Sequence, residues 1–229
     1  VLETYDHEGE RFSWLSIIDI GTTYHQVALV RIGGGNPNSK RILDKFMSVW
    51  VRWAGWPKIV TTDRGTNNRG AFAKALAAHG VYQRQAALES PEQLGRAERH
   101  GGLFKRNLKR VVAEHQISGK ELMKAAAFES IAAKNDFVKA GGFSPNQWVL
   151  GKAPRNPGAL LDDEELGQLG VLQERSDPEA EFYLKSQMRA TARKAFVKED
   201  CGRRAAAATL RKAAPLPGNY AVGDLIVYR

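Results

Sequence analysis

The chain has 229 residues, of which 43% are hydrophobic and 26% are charged, and this balance excludes an intrinsically disordered protein. The formal net charge of +9 favours a polyanionic partner, nucleic acid before an anionic membrane, with a merely basic soluble protein as the alternative. One cysteine, Cys201, excludes a disulfide framework and favours a reducing intracellular compartment, and no apolar run approaches the roughly 20 residues of a membrane-spanning helix.

The first elements in chain order are predicted strands followed by a helix. Residues 11–20 and 24–32 are rich in β-branched and aromatic residues on either side of a Gly-Thr-Thr turn, which is typical of an antiparallel hairpin. Residues 39–55 place apolar side chains at helical spacing and end at a glycine. Residues 57–62 then predict a short buried strand.

The alternation of helices and strands continues to about residue 150. The predicted order is a helix closed by Gly80, a strand, a turn, a long helix, a second long helix with a Ser118–Glu121 capping box, and a short helix that begins at Ser144. The first four of these cover residues 70–80, 81–88, 90–95 and 96–116. An antiparallel start with parallel strands later predicts an α/β layer fold for residues 1–150.

The composition changes after residue 150. Residues 151–176 are rich in Pro, Gly and acidic residues and predict a loop or linker. Residues 177–214 begin with an Asp-Pro pair, which is typical of a helix start, and predict a basic helical linker that is interrupted near Gly202. This linker could lie along DNA, bridge subunits or simply be exposed to solvent. Residues 215–229 contain a Pro-Leu-Pro-Gly break and then a new strand.

Two acidic residues stand where a strand ends and a helix begins. Asp63 follows the predicted strand at residues 57–62, and Glu98 lies 35 positions later, at the start of the long helix. If both places lie at one edge of the sheet, the carboxylates converge and repel unless a cation separates them, and hard oxygen ligands suit Mg²⁺ or Mn²⁺. The alternative is that Asp63 caps a turn and Glu98 is a solvated helix residue. These two residues by themselves favour the alternative.

The sequences around these acids carry a family resemblance. The run IVTTDRGTNNRGAF and the run LESPEQLGRAERHGGLFKR, in which Gly95 stands three positions before Glu98, resemble the catalytic core of retroviral and retrotransposon integrases. These enzymes are Asp-Asp-Glu polynucleotidyl transferases of the ribonuclease-H-like superfamily, and the resemblance covers residues 1 to about 150. GFSPNQWVLGKAPRNP is similar to the segment after the core in retrotransposon integrases, and YAVGDLIVYR is similar to the first strand of their small C-terminal barrel.

The resemblance implies a fold and a function. The fold is a ribonuclease-H-like mixed sheet flanked by helices, followed by a basic linker helix and the start of a C-terminal β-barrel, within a segment of an LTR-retrotransposon polyprotein. The function is metal-dependent 3′-end processing and strand transfer of element DNA into target DNA, by a homo-oligomer that acts in the nucleus without a membrane partner. Asp63 and Glu98 are then the ligands of two Mg²⁺ or Mn²⁺ ions.

The long helix carries the expected DNA contacts. Lys105 lies two helical turns after Glu98 on the same face, where it can meet a phosphate beside the metals. Arg96, Arg99 and Lys109 add positive charge to the same helix, whereas Leu103, Phe104, Leu108 and Val111 form its apolar face. No base-reading motif is visible, so contacts to the DNA backbone are expected.

The first acid of the Asp-Asp-Glu set is the open point. The family places this acid on the first strand, and three positions remain open. The favoured position is a residue upstream of Val1, which implies that the chain is part of a longer polypeptide. The other two are Asp19 in LSIIDI and Asp6 in a predicted hairpin turn. The alternative for Asp19 is a strand-end acid that bonds to the turn at Thr22. The sequence is silent on an N-terminal zinc-binding domain.

Two departures from the family keep other functions open. Leu94 stands where the family usually has Asn, and Gly102 where relatives often carry a basic residue. A non-catalytic or decayed DNA-binding or assembly fragment of a retrotransposon polyprotein is therefore the main alternative. A ribonuclease-H-type nuclease without joining activity is the third hypothesis, which the basic helix and the barrel strand disfavour.

Overall fold

The computed structural model of the chain describes residues 1–86, 95–137, 142–151 and 177–210. The chain divides into two compact units, Val1–Val197 and Lys198–Arg229. In the second unit, the carboxylate of Asp200 pairs with Arg203 and Arg204 on the same helix. The fold and the site described below belong to the first unit.

An antiparallel sheet begins the first unit. Strands β1 (Leu2–Tyr5), β2 (Arg11–Ile18) and β3 (His25–Ile32) pair in the order β1-β2-β3. The predicted hairpin of β2 and β3 is confirmed, with a register shift between Ser13 and Trp14. Residues on β2 alternate between the two faces of the sheet, so each face can carry a core.

A helix and a second, parallel sheet follow. Helix α1 (Ser39–Phe46) continues through a π-helical segment (Met47–Val51) into the short α2 (Arg52–Ala54), and Gly55 ends it with a φ of 74°. Strands β4 (Ile59–Thr62) and β5 (Tyr82–Gln85) are parallel and are connected through α3 (Ala71–Ala78). The predicted order of elements is confirmed here, whereas the π-helical segment was not predicted.

Four helices complete the described structure: α4 (Gly95–His115), α5 (Lys120–Phe137), α6 (Pro145–Leu150) and α7 (Asp177–Leu210). Ser144 and Gln147 form a capping box at the start of α6. The capping box predicted at Ser118 is wrong, because α5 begins at Lys120 and Glu121 instead binds Lys124. The interruption predicted near Gly202 is also wrong, because α7 runs through it.

The three-stranded sheet has a hydrophobic core on each face. On one face Phe12 and Trp14 pack with α4 and α5, and Phe104 of α4 meets Trp14 edge to face. On the other face Leu15 and Ile17 pack against a core that joins β3, α1, α3 and β4. The two sheets are therefore held together by packing, and helices flank the strands as the α/β prediction requires. No described helix has the length and apolar character needed to cross a bilayer.

Helix α7 packs on the core over part of its length. Met188, Ala192 and Phe196, spaced four residues apart, are buried in the same core as Trp14. Arg189 makes a two-pronged ion pair with the buried Glu129 of α5, with both N–O distances at 2.9 Å. Within residues 188–196 of the predicted linker Lys194 is exposed, but the face that carries Met188, Ala192 and Phe196 packs on the core and is not free to lie along DNA. Residues 152–176 and 211–229, which hold the predicted loop and barrel strand, lie outside the described residues.

Candidate metal and DNA-binding site

Asp63 is the first residue after β4 and lies exposed at the carboxyl end of a parallel strand. Its Oδ1 accepts hydrogen bonds from the backbone N–H of Gly65, at 2.9 Å, and from Nδ2 of Asn68, at 2.5 Å. Within the described part of the chain, Oδ2 accepts no hydrogen bond. One oxygen is therefore held by the turn and the other remains available to a ligand.

The turn after Asp63 is tied to the neighbouring strand. Gln83 of β5 donates through Nε2 to the carbonyl of the buried Asn68, at 2.9 Å, and to Oγ1 of Thr62, at 3.2 Å. Arg64 Nε donates to the carbonyl of Ala86, at 3.2 Å. Asn68 and Gln83 were not predicted from the sequence, although an Asn close behind an Asp in a Gly-containing turn is a local signal for such a bond.

Glu98 lies exposed in the first turn of α4. The start of this helix is anchored by Arg96, whose Nη1 donates to the carbonyl of Ile20 in the β2–β3 turn, at 2.8 Å. Gly101 allows α4 to approach β1, because a Cβ at this position would lie 3.1 Å from both methyl groups of Leu2. A carboxylate in the first turn is also favoured by the helix dipole.

Strand β1 and helix α4 run side by side in the same direction. Leu2 lies against Gly101 near their starts, and the N–H of His7 donates to the carbonyl of Ile117 just beyond their ends, at 2.8 Å. Glu98 precedes Gly101 by about one helical turn. The beginning of β1 therefore runs beside the turn of α4 that carries Glu98.

The two other acids considered in the sequence bind backbone groups of turns. Asp19 Oδ2 accepts from the N–H of Thr22, at 2.8 Å, and from its hydroxyl, at 2.6 Å, which are the bonds of the turn-capping alternative. Asp6 is buried and accepts from the N–H groups of Glu8, Glu10 and Gly119. Its predicted place in the hairpin turn is confirmed, and a metal-ligand role for either acid stays a prediction.

The described residues contain no group of three or more His, Cys, Asp or Glu side chains that could hold a metal ion. Asp19, Asp63 and Glu98 thus do not form a three-acid cluster in this structure. The donor chemistry of Asp63 and Glu98 nevertheless fits Mg²⁺, which keeps several waters and takes one or two carboxylates beside substrate phosphates. Their assignment as metal ligands stays a prediction.

The basic residues of α4 divide into exposed and engaged groups. Arg99, Lys105 and Lys109 are exposed and make no hydrogen bond or ion pair with any described residue. Arg96 is exposed but holds the Ile20 carbonyl, and Arg110 donates to the carbonyl of Ala195 in α7. The apolar face predicted at Leu103, Phe104, Leu108 and Val111 is confirmed, since all four are buried.

A cleft of about 760 Å³ lies elsewhere in the first unit. It is lined by residues of β3, the π-helical segment and α5, including Val27, Val49 and Phe128. Asp19, Asp63 and Glu98 are not among its lining residues. The cleft is therefore separate from the candidate metal ligands.

A buried polar group supports the β2–β3 turn that anchors α4. Lys134 of α5 is 1% exposed and donates through Nζ to the carbonyl of Thr23, at 2.8 Å. Burial lowers the pKa of Lys134 to about 7. Burial also lowers the pKa of His25 well below its usual range, with the charges of Lys134 and His100 acting in the same direction. Both groups therefore cost stability when they are protonated.

We expect the burial of Lys134 to make stability depend on pH. In the unfolded chain this amine has its ordinary pKa of 10.5, so between about pH 7 and 10.5 the unfolded state binds more protons and stability rises with pH. Relative to Lys134→Met, the wild-type free energy of unfolding should gain up to about 1.4 kcal/mol per pH unit between about pH 7.5 and 9.5. Urea denaturation of both proteins checks this, and a constant difference across that range would contradict it.

Comparisons with known proteins bear on the fold. No protein-family model and no curated protein matches this chain by sequence. A chain of the simian T-cell lymphotropic virus intasome, solved with PP2A regulatory subunit B56 gamma, superposes with a TM-score of 0.52 and 16% sequence identity. The superposition covers 68% of this chain and 53% of the intasome chain, so this chain spans about half the length of the intasome chain. The HTLV-2 integrase catalytic core domain, solved in complex with magnesium, gives a TM-score of 0.50 and 15% identity over 64% of this chain and 90% of that one. The chain therefore has the fold of a retroviral integrase catalytic core.

Proposed function

We propose that this chain is the catalytic part of an integrase that processes the 3′ ends of element DNA and transfers them into target DNA. The observation that carries the proposal is that the carboxylates of Asp63 and Glu98 are both exposed on an integrase-core fold. Asp63 lies at the carboxyl end of a parallel strand with Oδ2 available, and Glu98 lies in the first turn of an anchored helix. In α/β folds the carboxyl ends of strands are where ligands bind.

In this proposal Asp63 and Glu98 hold two Mg²⁺ or Mn²⁺ ions. When bound, such ions activate an attacking oxygen and stabilise the leaving oxygen at a phosphodiester. Asp63 offers Oδ2 while the turn holds Oδ1, and Glu98 offers a carboxylate free of described partners. The first acid would come from a residue that continues β1 upstream of Val1, because Leu2 at the start of β1 packs against Gly101, about one helical turn after Glu98; Asp19 and Asp6 are the alternatives.

DNA would lie along the exposed basic residues of α4. Each Lys or Arg that neutralises a phosphate releases counterions, so affinity falls as salt rises. Lys105, Arg99 and Lys109 are available for such contacts, and Arg96 would combine a phosphate contact with its anchoring role. We also propose that the chain acts as a homo-oligomer, which joins two element ends to target DNA in the nucleus.

Removing one of these charges should flatten the salt dependence of DNA binding. For Lys105→Ala, Arg99→Ala or Lys109→Ala, we expect the slope of log affinity against log salt to decrease by about one unit for each phosphate that is no longer neutralised, with little change in sequence preference. Lys74→Ala, an exposed lysine on α3, is the control and should keep the wild-type slope. Fluorescence anisotropy at several salt concentrations measures the slopes. Equal slopes for all four variants would show that these residues of α4 do not contact DNA phosphates.

The proposal is tested by supplying both DNA substrates to the full-length protein. The element-end duplex carries a fluorescent label, and the target is a plasmid. We expect labelled plasmid to form with Mg²⁺ and not with EDTA. DNA binding without cleavage would support the non-catalytic DNA-binding fragment instead, and cleavage without joining would support a ribonuclease-H-type nuclease.

A further inference from the structure

The hydrogen bonds around Asp63 form a chain that ends on a neighbouring strand. Gln83 Nε2 on β5 holds both the carbonyl of Asn68, at 2.9 Å, and Oγ1 of Thr62, at 3.2 Å. Asn68 Nδ2 then donates to Oδ1 of Asp63, at 2.5 Å, and lies 3.4 Å from its carbonyl oxygen. Asn68 is 9% exposed, so its amide is held by these contacts rather than by solvent.

The geometry of the turn also restricts where the carboxylate can lie. The N–H of Gly65 donates to the same Oδ1, and a Cβ on Gly65 would lie 2.9 Å from it. Two donors thus converge on Oδ1, while described residues leave Oδ2 without a donor. A carboxylate fixed in this way presents one defined oxygen, and it does not have to lose rotamer freedom when a cation binds.

We propose that Asn68, held in place by Gln83, is a positioning residue that orients Asp63 for a divalent cation. The proposal rests on the function proposed above, in which Asp63 is a metal ligand. Partners that hydrogen-bond a metal ligand typically account for about 10- to 100-fold in metal affinity. Asn68 would act through Asp63 and would not touch the metal or the DNA.

The test measures Mn²⁺ binding by the full-length protein, without DNA. Electron paramagnetic resonance reports free Mn²⁺ during titration of the wild type and of Asn68→Ala, Gln83→Ala, Asn67→Ala and Asp63→Asn. We expect Asn68→Ala to weaken Mn²⁺ affinity by about tenfold and Gln83→Ala by less, because Gln83 acts one bond further away. Asn67→Ala is the matched control from the same turn, since Asn67 makes no hydrogen bond with described residues, and it should bind as the wild type does.

A metal-free measurement separates positioning from folding. In the wild type, nuclear magnetic resonance should show slow hydrogen exchange between the side-chain amide of Asn68 and solvent, and Asp63→Ala should make this exchange faster. The Asn68→Ala and Asn67→Ala variants should unfold at similar urea concentrations. The positioning role is overturned if Asn68→Ala binds Mn²⁺ as tightly as the wild type does while Asp63→Asn binds it more weakly. It is also overturned if Asn68→Ala loses affinity only because less of the protein is folded. Unchanged affinity in Asp63→Asn overturns the ligand assignment of the proposed function itself, and the positioning role with it.

Discussion

Asp63→Asn and Glu98→Gln are each expected to lower Mg²⁺-dependent strand transfer by about a thousandfold or more. Each substitution keeps the shape of the side chain and removes the negative charge that the proposed ions require. A divalent ion contributes several kcal/mol of transition-state stabilisation, and about 4 kcal/mol corresponds to a factor of a thousand in rate. The measurement is the initial rate of joined product, made with the full-length protein.

Matched controls distinguish loss of a ligand from loss of an acid. Asp44→Asn on α1 and Glu8→Gln in the β1–β2 turn remove exposed carboxylates that make no hydrogen bond or ion pair with described residues. Both variants should join DNA at the wild-type rate. DNA binding should also persist in Asp63→Asn and Glu98→Gln, because the basic residues of α4 are unchanged. Normal joining by either of these two variants would show that the site is placed wrongly.

Phe196→Ala is expected to destabilise the first unit by about 3–5 kcal/mol, the usual cost of truncating a fully packed aromatic side chain. Phe196 is 3% exposed and stacks on Phe137 of α5, with ring centroids 6.2 Å apart. Its removal leaves a cavity between α7 and the core that also contains Met188 and Ala192. Urea denaturation gives the change in the free energy of unfolding.

Phe128→Ala provides the matched control for this prediction. Phe128 lies on α5 and is 67% exposed, so the same truncation should change the free energy of unfolding by no more than about 0.5 kcal/mol. Similar effects of the two substitutions would mean that residues 188–196 do not pack on the core. A large effect of Phe196→Ala alone would show that the first unit needs α7 to complete its hydrophobic interior.

The packing of α7 also changes which positive charges are available for DNA. The sequence presents the whole helix as a basic surface, but Arg189 is paired with Glu129, and Arg193 is buried against Asp136. Arg110 of α4 donates to the carbonyl of Ala195. Part of the apparent positive charge therefore stabilises the fold. The exposed residues of α4 are better placed to contact phosphates than this part of α7.

The sequence by itself determined the elements whose signals are local. The β2–β3 hairpin follows from β-branched residues around a short turn, and the buried face of α4 follows from apolar residues at helical spacing, because both patterns span only a few neighbouring residues. The family resemblance likewise depends on short runs around Asp63 and Glu98. The α/β class that it implied for the core is observed, as two packed sheets rather than one mixed sheet, whereas the implied barrel strand lies outside the described residues.

Only the tertiary structure decided the features that join distant parts of the chain. Met188, Ala192 and Phe196 stand among basic residues, so their burial against α5 depends on a surface that α7 does not itself contain. The bond from Gln83 to Asn68 requires β4 and β5 to pair in parallel before the two residues meet. Local patterns report which side of an element is apolar, whereas the partner of each side is fixed by packing between elements far apart in sequence.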